Sequence, residues 1–466
     1  MLLDVREKSS VPRWARMIDA LSLLLATVAL AVAMFGGFRQ SIANVHVSVT
    51  SPIPLLLWAF AIAVVRQIAA PQRALYREFP ARIGRWLHLD EVKSAVLTVV
   101  GTRLPILLVG YFAISLFGYA NGRAPLQYFK NELLNLPVRW DAGWYLQIVT
   151  EGYRFASSDS QVQQNIVFFP AYPLLVRMVG RLLGGHTTHY VLAGMAVSLT
   201  AFFAALVYLY VLARKLVDED KARYALWLIA SYPFALFYGA MYSESLFLLG
   251  VVGAFYHLSE RQFWQAAAWG LLAGLTKPNG ALLSIPLALL AVSPAMSMAR
   301  WRLRALATAA APVAGMLLYA AFIWHLTGDP LAWARGQSAW ERTSQPVTTV
   351  VANQVSFIRH AGLSEYLAVG GYDVLNMFAV LFALTAVWPV GRRIGLPYAA
   401  LILVVTLPPI AYGGWLSAGR HSSVLFPIFL WLADVVPHGH RPAWIFAFSA
   451  FQALNAALFY TWRPMI

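Results

Sequence analysis

Apolar runs long enough to cross a bilayer recur along this 466-residue chain, and no single motif constrains the fold as much. Residues 17–37, 52–70, 95–119, 190–213, 307–326, 370–390 and 442–460 are rich in Leu, Ala, Val and Phe and carry few charges. In hydrocarbon every backbone polar group must find an internal partner, so such runs become helices or the strands of a closed barrel. They do not alternate with period two, which selects helices. Hydrophobic residues are 60% and charged residues 12% of the chain, outside the usual soluble range. Shorter runs at 224–241, 245–258, 263–276, 280–296, 396–412 and 423–436 bring the expectation to about thirteen spans in an all-α polytopic bundle.

A formal charge of +15 raises nucleic acid as a partner, and its distribution argues against it. The basic residues fall in short clusters between apolar runs, the pattern of cytoplasmic loops; no basic tail or soluble basic domain is present. Membrane lipids, not nucleic acid, are the expected surroundings. With no cysteine, disulfides and thiolate chemistry are excluded. The first run follows Arg13 and Arg16 as a signal peptide would, but it ends in Gly-Gly-Phe-Arg without a small-residue cleavage site. It is expected to be a retained span.

Orientation follows from the clusters. Arg66, Arg73, Arg77, Arg82, Arg85 and Lys93 form the most basic loop and are expected inside, with the N-terminus. Arg214, Lys215, Lys221 and Arg223, then Arg300, Arg302 and Arg304, then Arg392 and Arg393, recur at each later inside turn. Two polar stretches, 120–188 and about 327–369, then fall outside, and so does the C-terminus. Within the first, residues 168–183 are apolar but carry Pro170, Pro173, Arg177 and Arg181, which fits an interfacial or re-entrant helix.

This topology collects Asp141, Glu244, Lys277, Asn279, Asp329, Glu341, Arg420 and His421 on the outer face. Ionisable groups at membrane depth are costly, so their clustering marks a candidate site. Residues 139–153, RWDAGWYLQIVTEGY, set Asp141 beside Trp140, Trp144 and Tyr145. Aromatic faces stack on sugars, and a partly desolvated carboxylate is a good general base. The plainer reading is an interfacial aromatic belt with Asp141 capping the helix that starts at Ala142. His186 and His189, at i, i+3, have no evident third metal ligand and read as a turn. Trp333, Trp340 and Trp415 fit stacking platforms or interface anchors.

The ordered set R-W-D-A-G-W-Y…G-Y, F-F-P-x-Y-P-L-L-V-R and Y-x-E-S-L-F-L-L resembles the PIG-V-type mannosyltransferases, relatives of GPI mannosyltransferase II. Lys277-Pro278-Asn279-Gly280, Gly328-Asp329-Pro330 and Gly419-Arg420-His421 continue the match in order, from about residue 95 to 436. The resemblance implies a GT-C-like transmembrane catalytic domain over 95–466, with residues 1–94 as a two-span extension. It implies an inverting transfer of a sugar, mannose in the family, from a polyprenyl-phosphate donor to a glycolipid, glycan or protein acceptor. That chemistry belongs on the extracytoplasmic face of a cell membrane, a bacterial plasma membrane by the resemblance, and needs no cofactor. By position Asp141 matches the family's catalytic base. Arg420, Lys277 and His421 are then candidates for the donor phosphate. Arg139, Trp140, Trp144, Tyr145, Tyr242, Glu244 and Asn279 are candidates for substrate binding. Glu244 fits either positioning of the acceptor or pairing with an arginine inside the bundle. The chain departs from the family at Lys277, where Arg is usual, and it lacks an Asp-x-Asp in the outer loop for a metal. A transporter or flippase of lipid-linked sugars is the alternative; its ionisable residues would gather near the midplane instead of at one face.

Overall fold

A computed structural model of the chain describes residues 13–36, 38–42, 45–70, 88–120, 122, 126–156, 158–296, 298–340, 342 and 346–463. The expected basic positions Arg73, Arg77, Arg82 and Arg85, the stretch before Arg13, and Glu341 lie outside the described residues. Helices make up the architecture. Among the described residues, seven are long and apolar enough to cross a membrane: Met17–Met34, Pro52–Ala69, Asp90–Phe117, Thr187–Leu216, Ala299–Thr327, Gly371–Arg393 and His438–Tyr460. Shorter apolar helices accompany them at Glu244–Ser259, Pro278–Ala291, Leu396–Tyr412 and Phe426–Val435. Large apolar side chains such as Leu116, Trp264, Trp388 and Phe446 point outward, as on a bundle solvated by lipid. The chain is a multi-pass, all-α membrane protein in its architecture.

Three segments differ from the expectation, each for a local reason. Between the first two spans, Phe38–Ile42 and Val45–Val49 pair as an antiparallel hairpin with Phe38 opposite Val49. Val45, Val47 and Val49 alternate with polar residues, a strand pattern that the hydropathy of the flanking runs conceals. The expected loop 327–369 is mostly helical, with turns at Ala332–Arg335 and Gly336–Trp340, the helix Val347–Ala361, and a long helix Leu363–Arg393 that starts inside the expected loop.

The third difference builds the site. The expected span 224–241 is broken: the helix Glu219–Ser231 stops two residues before Pro233. A 3-10 turn, Ala235–Gly239, follows before the chain re-enters helix at Glu244–Ser259. Such a break strands carbonyls that lipid cannot satisfy. Buried side chains from two neighbouring helices supply the donors. The Arg103 guanidinium donates to the carbonyls of Ala230 and Ala235, each at 2.5 Å. Gln452 donates to Ala230 and Tyr232, at 3.1 and 3.0 Å, and Asn455 to Pro233 at 3.0 Å.

Ion pairs separate the two ends of the bundle. At one end Asp434 takes Lys221 and Arg393, Asp220 takes Arg441, and Lys215 takes Glu260. At the other, Ser198 donates to the carbonyl of Tyr242 (3.2 Å), which fixes the level of the candidate site on the Thr187–Leu216 helix. Roughly 25 Å of helix separates Ser198 from Lys215. The Tyr242 end of the site therefore lies about that far along the bundle from the Lys215–Glu260 ion pair.

Candidate active site

The residues preceding Glu244 hold the site from one side. Tyr242 is fully buried; its hydroxyl accepts from the Asp141 backbone N–H and donates to the Arg139 carbonyl, both at 3.1 Å. Trp140 adopts a left-handed backbone (φ 53°), a strained turn that re-aims the chain just before Asp141. Its ring rests on Trp462 and its Nε1 donates to the Phe459 carbonyl at 3.3 Å. Asp141 is the residue before the helix Ala142–Glu151, yet its carboxylate makes no capping hydrogen bond. Instead Oδ2 accepts from Arg420 Nη1 at 2.7 Å.

Arg420 arrives on the short helix Ala418–Ser422, pinned from several directions. Gly419 N–H donates to Asn376 Oδ1 at 2.7 Å, Ser422 bonds Tyr232, and Tyr238 donates to the Ser423 carbonyl. A Cβ at Gly419 would lie 2.2 Å from the Phe234 ring, so only glycine lets this turn seat against the broken segment. The guanidinium also lies over the Tyr242 and Phe237 rings, at 5.6 and 5.7 Å. Burial alone would lower its pKa; the Asp141 and Glu244 carboxylates outweigh that and raise it above the ordinary value.

Glu244 is 1% exposed and is shared by two cations. Its Oε1 lies 2.6 Å from Lys277 Nζ and 3.3 Å from Arg420 Nε. Oε2 is buried without a hydrogen-bond partner among the described residues. Lys277 leads into a tight reversal in which Gly280 N–H donates to the Lys277 carbonyl at 2.9 Å. A Cβ at Gly280 would come within 2.1 Å of the Ala273 carbonyl, which explains the glycine. Burial lowers the Lys277 pKa, more than Glu244 raises it.

These four side chains form a continuous chain of charge, Asp141–Arg420–Glu244–Lys277, along the wall of a cavity of about 610 Å³. Tyr145, whose hydroxyl donates to Ser243 at 2.9 Å, lies beside it. Met316, Leu282, Pro408 and Pro409 contribute apolar lining, together with Trp333 and Trp340. His421 and Arg342 complete the polar side. Burial, then Lys277, Arg342 and Arg420, hold the His421 pKa well below the ordinary imidazole value, so the ring is neutral. Burial and Arg420 lower the Arg342 pKa to about 10, which still leaves it charged at neutral pH. A cavity of this size, lined by cationic as well as apolar and aromatic side chains, suits a ligand with an anionic group and an apolar body.

Residues 123–322 match the family described as Mannosyltransferase (PIG-V). The match spans 200 of the chain's 466 residues, and over that stretch the chain is similar to the PIG-V mannosyltransferases. It contains Asp141, Glu244 and Lys277, while Arg342, Arg420 and His421 lie beyond it. No curated protein matches the chain. Among solved structures, the chain resembles an oligosaccharyltransferase of Archaeoglobus fulgidus, crystallised with zinc and sulfate, at 14% identity and a TM-score of 0.36. The likeness covers 76% of this chain and 53% of that one, so the chain spans about half the length of that protein. The PIG-V match supports a membrane glycosyltransferase.

Of the residues singled out from sequence, the structure brings Asp141, Tyr145, Glu244, Lys277, Asn279, Arg420 and His421 to one cavity. Tyr242 supports it from behind. Arg139 does not reach it. Fully buried, it donates to Glu132 at 2.6 Å and to the carbonyls of Asn135 and Tyr460, so it ties the segment before Ala142 to the helix that ends at Tyr460. Trp140 packs on Trp462, and Trp144 stacks with Phe168, one ring back from the cavity wall. Trp415 is buried outside the lining, and Asp329 pairs with Arg335. His186 and His189 close a capping box at the start of the Thr187–Leu216 helix. Among the described residues no three His, Asp or Glu side chains converge as a metal site would require. Arg342 went unselected in sequence. The signal in the sequence is a basic residue in a loop expected outside, where the positive-inside pattern offers no reason for one.

Proposed function

We propose that the chain is an inverting glycosyltransferase that moves a sugar, mannose by family, from a polyprenyl-phosphate donor to an acceptor hydroxyl on the extracytoplasmic face. One observation carries this reading: the Asp141 carboxylate is spent on neither a helix cap nor the core, and Arg420 holds it at the cavity wall. With Oδ2 fixed by Arg420, Oδ1 has no hydrogen-bond partner among the described residues and faces the attack on an acceptor O–H. In a single displacement the acceptor oxygen bonds the anomeric carbon as the carbon–phosphate oxygen bond breaks. The hydroxyl proton passes to Asp141, and the bonding pair leaves with the polyprenyl phosphate. That leaving group needs no proton; it needs positive charge, which Arg420, Lys277 and their neighbours supply alongside a His421 donor. The apolar lining suits the lipid, and the distance of the site from the basic end of the bundle supports an outer position under the positive-inside rule.

Purified protein in detergent, given polyprenyl-phosphate-mannose and a glycolipid, glycan or peptide acceptor, is expected to release polyprenyl phosphate and to give a product of inverted anomeric configuration. A protein that acts on lipid-linked sugars only when sealed in a bilayer would instead be a flippase. A folded Asp141→Asn variant with full turnover removes the catalytic assignment.

A further inference from the structure

We infer that Arg342, with the Asn279 amide and the His421 ring N–H, forms the seat for a singly charged phosphate group in the cavity. The inference rests on the glycosyltransferase reading and adds to it the atoms that meet the donor phosphate.

The charges of the site are unequally engaged. Arg420 holds both carboxylates, and Lys277 holds Glu244. The Arg342 guanidinium forms no ion pair or hydrogen bond with a described residue; only its backbone N–H is engaged, with Gln337. Three cations against two carboxylates leave one positive charge, and Arg342 is where it is not neutralised locally. Two further donors lack partners. Asn279 Nδ2 and His421 Nε2 are both fully shielded from solvent and without a hydrogen-bond partner among the described residues, yet both side chains line the cavity. Buried donors in native structures are nearly always satisfied, so two orphans on side chains that line one cavity point to an acceptor that the protein itself does not supply. A neutral imidazole offers one N–H, an amide two, and a guanidinium a planar fork matched to phosphate oxygens.

The surroundings favour phosphate over a carboxylate ligand. Lys277, Arg342 and Arg420 line the same cavity as His421, and each acts on its ring electrostatically. Met316, Leu282, Pro408 and Pro409 add apolar lining to the same cavity, which suits a phosphate esterified to a hydrocarbon. A single surplus charge matches a phosphodiester, which carries one negative charge, better than a diphosphate.

The test uses ligand binding by the full-length protein in detergent, without sugar transfer. The probes are a polyprenyl methyl phosphodiester, the corresponding polyprenol, and dimethyl phosphate. The diester is expected to bind at least tenfold more tightly than the alcohol. Arg342→Gln is expected to weaken the diester about tenfold or more and Arg342→Lys less, with the ligand-free melting temperature unchanged. Millimolar dimethyl phosphate displacing the lipid would show that the phosphate alone is recognised; failure to displace would show that the lipid ester is required. Equal binding of diester and alcohol, or an Arg342→Gln protein that binds as the native one does, overturns the site. The two readings separate cleanly. Arg342-dependent binding without any sugar transfer removes the transferase and keeps the site. Normal transfer with an unchanged donor KM in Arg342→Gln does the reverse.

Discussion

Asp141 Oδ2 accepts a hydrogen bond from Arg420 Nη1 at 2.7 Å, across 279 positions of chain. Both side chains are partly shielded, 19% and 12% exposed, so the contact is neither a surface ion pair nor a dry one. Its consequence is orientation: one carboxylate oxygen is fixed by charge, and the other is left for a substrate.

Asp141→Asn keeps the shape and removes the base. Turnover should fall by about two to four orders of magnitude. The KM for donor should change little, because the cations that meet phosphate remain. Steady-state release of polyprenyl phosphate measures both. Arg420→Lys should also slow turnover, since one ammonium cannot hold two carboxylates in a planar geometry.

Glu244→Gln tests whether the buried carboxylate balances Lys277 and Arg420. Removing one partner of a buried pair leaves an uncompensated charge and costs about 3 kcal/mol or more. The variant should melt at a lower temperature in detergent. Adding Lys277→Gln should restore part of that loss, because the stranded ammonium is gone as well. A double variant as unstable as the sum of the singles would show that the two side chains are not coupled.

Much of this arrangement was legible in the sequence, and the parts that were not share a cause. Hydropathy is local, so the helix Phe263–Thr276 and the spans ending at Ala69 and beginning at Leu396 fall where the apolar runs place them. Motif order brought Asp141, Glu244, Lys277 and Arg420 into one expectation. The break at Ser231–Pro233 was hidden because the run stays apolar through it, and its donors, Arg103, Gln452 and Asn455, come from distant helices. Pairing is non-local in the same way. Nothing near Arg139 in sequence shows that it ends against the Tyr460 carbonyl, and nothing near Arg342 shows that it lines the cavity.

Arg103→Met removes the two hydrogen bonds that satisfy Ala230 and Ala235 while keeping an apolar stem of similar length. Each buried carbonyl left without a donor costs about 1–3 kcal/mol, although Gln452 still serves Ala230. The variant should unfold at lower denaturant and should lose activity in parallel, because the same break aims Tyr242 and Glu244. Equal stability with activity intact would show that the break holds itself.

The neutral His421 gives the protein a defined pH dependence. Burial and the surrounding cations depress its pKa in the folded state, whereas the unfolded chain binds that proton near the ordinary value of about 6.5. Below that pH the unfolded state carries the extra proton, so stability falls as pH falls, by up to about 1.4 kcal/mol per unit until the folded-state pKa is reached. Above about 6.5 both states are neutral and the contribution is complete. His421→Asn removes the titration and keeps a donor. Melting temperatures in detergent should therefore drop more steeply from pH 7.5 to 5.5 in the native protein than in the variant. Parallel curves would mean that His421 is not held neutral by its surroundings.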